Sequence, residues 1–132
     1  MAKKTTKKDT ARKLAIEAAR VAQDGNCEDI VVLDLRGVSP ITDYFVIATG
    51  TSDRQMRSAA DDMIDLGKSM DQKVWRTAGT EKADWIVLDF VDVVVHLFDE
   101  SHRSYYDLEL IWGEAKHVRW KRPAKRKAAE EK

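Results

Sequence analysis

The chain has 132 residues, one cysteine, and 23 basic and 23 acidic side chains. At that length one domain can hide roughly 68% of its unfolded surface, enough for a real core, and the lone Cys27 excludes an internal disulfide. No apolar run reaches the ~18 residues of a membrane span, and the start MAKKTTKKDT lacks the apolar stretch of a secretory signal, so a protein of the reducing cytoplasm is expected.

The balanced charge is unevenly spread. Residues 1–13 hold six Lys/Arg against one Asp, and residues 116–132 hold eight against two Glu. Between them, nine basic residues face twenty acidic ones. An acidic body with two basic ends is expected: a disordered tail over 1–9, one α/β domain over 10–115, and a second tail over 116–132. Such tails either serve as solvated ends or touch nucleic acid nonspecifically through phosphate neutralisation.

The first predicted element is a helix capped by Thr10. Ala11, Leu14, Ala15, Ala18, Val21 and Ala22 share one stripe, and Gly25 can end it. The β-branched run from Asp29 to Arg36 predicts a strand buried on both sides. The turn cluster Gly37-Val38-Ser39-Pro40 separates it from a second strand over 44–49. Ser52 followed by Gln55 is a capping-box pattern and starts a helix over 53–70, with Met56, Ala59, Ala60, Met63, Ile64 and Gly67 on its buried stripe. A short strand over 74–77, a loop over 78–82, two back-to-back strands over 84–98, and a final helix over 102–112 complete the pattern. Alternating helices and strands predict an α/β fold with a single mixed β-sheet packed with helices.

The two back-to-back strands define the candidate site. A two-residue turn at Phe90-Val91 would pair Leu88 with Val93, Ile86 with Val95, and Trp85 with His96. One face then carries Ile86, Leu88, Val93, Val95 and Leu97, a core pattern. The other carries Trp85, Val87, Asp89, Asp92, Val94 and His96. An aromatic anchor amid polar groups suits an interface, although helices covering both faces would also accommodate it. The same face could serve a homodimer.

Catalytic motifs are sparse. P-loop, GxSxG and HExxH patterns are absent. His96, His102, His117 and Cys27 lack metal-ligand spacing, so a metal site is not expected. The Gly50-Thr51-Ser52-Asp53-Arg54 turn could hold an anion at a helix N-terminus, but Asp53 already occupies the favourable place. Nucleotidyl transfer needs metal-binding carboxylates alternating on one strand, and no DxD or DxE lies on a predicted strand.

Three stretches taken together resemble a known family. They are Thr42 to Ser52 with Arg54-Gln55, then Trp85 to Asp89 with Asp92 to Phe98, then Arg103 and Tyr106-Asp107-Leu108-Glu109 with Trp112. The chain is similar over about residues 10–115 to the ribosomal silencing factors, or Iojap-related proteins. The resemblance implies a nucleotidyltransferase-like fold without catalysis and without a cofactor. It implies binding to the large ribosomal subunit through ribosomal protein fourteen, steric blocking of subunit joining, and lowered translation under nutrient limitation or in stationary phase. Trp85, Asp89 and His96 would be partner contacts, with Arg103, Tyr105 and Tyr106 beside them and Asp43 and Tyr44 at a strand entry, and the basic tails would touch ribosomal RNA nonspecifically. The family usually has glycine where this chain has Val91, and often phenylalanine where it has Tyr105. The competing reading is a nucleotide-binding enzyme on a similar sheet.

Overall fold

A computed structural model describes residues 7–79, 82, 84–101 and 115–122. Helix α1 (Lys7–Asp24) leads into β1 (Glu28–Asp34) and β2 (Tyr44–Gly50). Helix α2 (Asp53–Ser69) follows, then β3 (Arg76–Gly79), β4 (Trp85–Asp89), β5 (Val93–Asp99) and β6 (Lys116–His117). The strands form one six-stranded sheet in the order β3-β4-β5-β2-β1-β6. The β2–β5 pair is parallel and the other four pairs are antiparallel. This is the α/β class with a mixed sheet that the sequence predicts.

Both described helices pack on one sheet face. Ala11, Leu14, Ala15, Ala18 and Ala22 of α1 are buried with Met56, Ala59, Ala60 and Met63 of α2 against Val32, Val46, Ala48, Val95 and Leu97. Small alanines on α1 let its backbone approach the sheet closely, while the methionines fill the remaining gaps. On the opposite face Leu33, Leu35, Ile47, Phe98 and Ala115 form a second buried cluster, flanked by Val31, Phe45 and Trp85. Helix α1 starts earlier than expected, so Thr10 lies inside it and does not cap it.

The N-terminus of α2 caps itself. Ser52 Oγ accepts from Gln55 N–H at 3.1 Å, as the sequence pattern predicts. The Gln55 carboxamide oxygen turns back to Thr51 N–H, while its Nε2–H donates to the Gly25 carbonyl at 2.8 Å. That last bond ties the start of α2 to the turn between α1 and β1. At the other end of α2, Gly67 is a point of close approach. A Cβ there would lie 2.5 Å from the Gln72 carbonyl oxygen and 2.7 Å from Cε1 of Phe90. Alanine normally strengthens a helix interior relative to glycine, but overpacking reverses the sign here. Gly67→Ala is expected to lower stability by roughly 1–3 kcal/mol, read as a lower urea midpoint at unchanged slope.

The hairpin register differs from the expected one by two residues. Trp85 faces Phe98, Ile86 faces Leu97, Val87 faces His96, Leu88 faces Val95, and Asp89 faces Val94. The turn is the cause. Phe90 N–H donates to the Val93 carbonyl at 2.8 Å, and Asp92 N–H closes a three-residue turn on the Phe90 carbonyl at 3.0 Å. Asp89 Oδ1 accepts from Val91 N–H at 2.8 Å. Val91 therefore sits at φ +78°, where a β-branched side chain costs on the order of 1–3 kcal/mol. A shift of two preserves side-chain alternation, so each strand keeps the face the sequence assigned to it.

The largest departure lies after residue 114. Residues 116–122, expected within a basic tail, extend the sheet and close the core. Lys116 and His117 pair with Asp34 and Leu33 of β1. Val118 N–H then donates to the Val32 carbonyl at 2.8 Å. Trp120 is buried, with its Nε1–H donating to the Ile30 carbonyl at 3.3 Å and its own carbonyl accepting from Arg20 Nε–H at 2.8 Å. Arg122 grips Asp24 through two bonds of 3.0 and 2.9 Å. Residues 7–9, expected within the first tail, instead form the start of α1, and the expected helix over 102–112 with residues 1–6 and 123–132 of the two tails falls outside the described residues.

Candidate functional site

The outward candidates on β4 and β5 form an aromatic stack. Trp85 Nε1–H donates to Nδ1 of His96 at 3.3 Å. The His96 ring stacks with Phe98 at 6.0 Å and meets Phe45 edge-on at 4.8 Å, while Trp85 stacks on Phe98 at 5.5 Å. Acceptance at Nδ1 fixes the neutral tautomer with the proton on Nε2. That Nε2 is buried without a hydrogen-bond partner. Burial accordingly pushes the His96 pKa down to about 4.

This geometry corrects the expectation for His96. It is only 8% exposed, so it is not a group on an open face but the support behind Trp85. Trp85 is half-buried and Asp89 likewise. Tyr44 is also corrected as a surface contact: it is 0% exposed, and its ring lies beneath the Arg36 guanidinium at 5.4 Å. Asp43 is partly exposed, and its N–H donates to the Asp92 carbonyl at 3.0 Å. Arg103, Tyr105 and Tyr106 lie outside the described residues.

The expected contacts therefore divide into two groups. Trp85 and His96 sit toward one end and the middle of the β4–β5 ladder. Asp89, Asp43 and Tyr44 sit at the other end, where Asp89 faces Val94 and Tyr44 faces Val93. Four residues of strand, at ~3.3 Å each, put Trp85 and Asp89 about 13 Å apart. Sequence reading missed Trp75, which is 65% exposed with Arg76 stacked on it at 4.8 Å.

The crevice at the C-terminal ends of β2 and β5 is where a sheet of this kind would place a nucleotide. It holds about 380 Å³ and is lined by Glu28, Thr49, Gly50, Thr51, Asp99, Glu100 and Ser101. Three carboxylates there disfavour a phosphate. The nearby helix N-terminus has its Thr51 and Gln55 N–H groups bound to its own side chains, which removes donors an anion would need. Among the described residues no group of three His, Cys, Asp or Glu is placed to hold a metal ion. Cys27 is buried and its pKa is raised by that burial, which makes its thiol a poor nucleophile.

A family model described as ribosomal silencing factor during starvation matches residues 8–132. The chain belongs to that family. It is 41% identical over 98 residues to the ribosomal silencing factor RsfS of Bacillus subtilis, covering 74% of this chain and 83% of the relative. It is similar to a crystal structure of a Chromobacterium violaceum protein, with a TM-score of 0.70, 32% identity, and coverage of 86% of this chain and 88% of that one. A more distant relative, 31% identical over 90 residues, is the mouse mitochondrial assembly of ribosomal large subunit protein 1; the match covers 66% of this chain and 40% of that protein. Seen as a silencing factor, the chain presents no assembled catalytic group among the described residues. What it presents is a rigid sheet with half-buried aromatic and acidic side chains on one face.

Proposed function

We propose that this chain binds the large ribosomal subunit, through ribosomal protein fourteen, and sterically prevents the small subunit from joining, thereby lowering translation when nutrients are scarce. The observation that carries the reading is the family match over nearly the whole chain. The name of the mouse relative, which refers to assembly of a large ribosomal subunit, adds support for the choice of subunit. The proposed activity is occlusion and not catalysis, in the cytoplasm. It requires buried area and a stiff platform, for which an interface of ordinary size buries ~1,600 Å² in total. Trp85 and Asp89 are the proposed contacts from the β4–β5 face, with His96 holding the indole from behind.

Sedimentation through a sucrose gradient tests this. The protein should migrate with isolated large subunits, not with small ones, and should reduce the joined-ribosome peak when both are mixed. Failure to migrate with large subunits at low salt would end the reading. Trp85→Ala should weaken large-subunit binding by roughly 2–4 kcal/mol; unchanged affinity in a folded variant would remove Trp85 as an anchor.

A further inference from the structure

All four large apolar side chains that the described residues leave exposed lie at one end of the sheet. They are Ile41 at 84%, Trp75 at 65%, Val91 at 53% and Val38 at 40%. They belong to three connections, 35–43 between β1 and β2, 70–75 before β3, and 90–92 between β4 and β5. Strand pairing brings these together: Asp89 faces both Arg76 and Val94, and Tyr44 faces both Val93 and Asp34. Backbone bonds reinforce the grouping. Asp43 and Tyr44 N–H reach the Asp92 carbonyl at 3.0 and 3.1 Å, and Trp75 N–H reaches the Asp89 carbonyl at 2.8 Å. With strands ~4.8 Å apart, the row from β3 to β1 spans about 19 Å.

Single exposed apolar residues are ordinary, but a group of them is a mark of contact. Val91 adds an independent observation. It holds an exposed isopropyl group at φ +78°, a strained conformation that brings the isolated fold no burial in return. Strain of that kind gathers at sites where a side chain serves something outside its own chain.

We propose that this end of the sheet is a docking surface for a protein, with Trp75, Val91 and Ile41 as its apolar contacts. The inference rests on the proposed function and names the protein component of the large subunit as the occupant. Charge decides between protein and RNA. The three connections carry Arg36 and Lys73 against Asp43, Asp71 and Asp92, and Arg36 is already bound to Asp34 at 2.7 Å. A phosphate backbone requires a cationic surplus. An apolar centre rimmed by balanced charges, such as the Arg76–Asp89 pair at 3.7 Å, matches the anatomy of a protein interface.

The test uses the full chain carrying Ile41→Ser with Trp75→Ser, and separately Val91→Gly, beside wild type and Trp85→Ala. Binding is measured to large subunits and to ribosomal RNA stripped of protein, with melting and light scattering in parallel. The double variant should melt with wild type, since both side chains are exposed, and bind large subunits about tenfold or more weakly. Val91→Gly should melt at the same or a higher temperature and still bind more weakly. Wild-type affinity in the double variant, with Trp85→Ala weakened, would remove this end of the sheet and leave the proposed function standing. A wild-type chain that ignores large subunits would overturn both. An equal loss on bare RNA would make the occupant a nucleic acid, and reduced self-association with unchanged subunit binding would make it a second copy. Either would refute the proposal.

Discussion

Trp120→Ala is expected to destabilise the fold by about 3–5 kcal/mol, lowering the melting temperature by roughly 10 °C or more. The side chain is buried in the main core, in the same cluster as the α1 alanines and Val32. Its removal leaves a cavity and deprives the Ile30 carbonyl of its indole donor. A residue in a solvated tail would give no change at all. Thermal melting of the variant beside Lys121→Ala, an exposed neighbour, separates the two cases, and equal melting of both would refute the placement of residues 116–122 in the core.

The second large effect follows acidification. His96 has an ordinary pKa of 6.5 when exposed and about 4 in the fold, because burial disfavours the imidazolium. The unfolded chain thus takes up a proton that the folded chain refuses between these two pH values. Stability contributed by neutral His96 is complete above pH 6.5 and falls progressively as pH drops toward 4, by roughly 3 kcal/mol in all. His96→Phe keeps a ring in the stack and abolishes the titration. Urea unfolding of both proteins from pH 7 to pH 4 should show a steeper loss for wild type. Parallel curves would exclude a buried neutral histidine.

Much of this architecture was readable because its signals are local. Helix α2 announces itself through Ser52, Gln55 and a helical stripe, and each of these has the expected place in the fold. The hairpin faces were readable for a similar reason: alternation assigns Trp85 and His96 to one side whatever the register. The register itself was not, since it depends on Val91 adopting a positive φ that its side chain resists. Exposure of the second face was also misjudged. Alternation says which side chains share a face, but not whether that face is covered, and so His96 was expected outside; Tyr44 was expected as a contact only through the family resemblance, and it lies in the helix-side core. In residues 116–122 the alternation of Val118 and Trp120 with Arg119 and Lys121 was present, but the cationic composition outweighed it. The Trp75 to Val38 grouping depends on long-range strand order, which no local pattern contains.

The pairing of β6 with β1 has a consequence for how the chain matures as it is synthesised. Strand β1 finds β2 within a few residues, yet its other edge waits for Lys116 and His117. Closing so long a loop adds little entropy beyond a loop of half its length, so the delay is set by synthesis and not by equilibrium. Until then β1 presents an open ladder to the surroundings, the kind of edge on which nascent chains join one another. A chain interrupted anywhere before residue 115 would keep that edge permanently. Its expected fate is aggregation, even though α1, α2 and five of the six strands could already be in place.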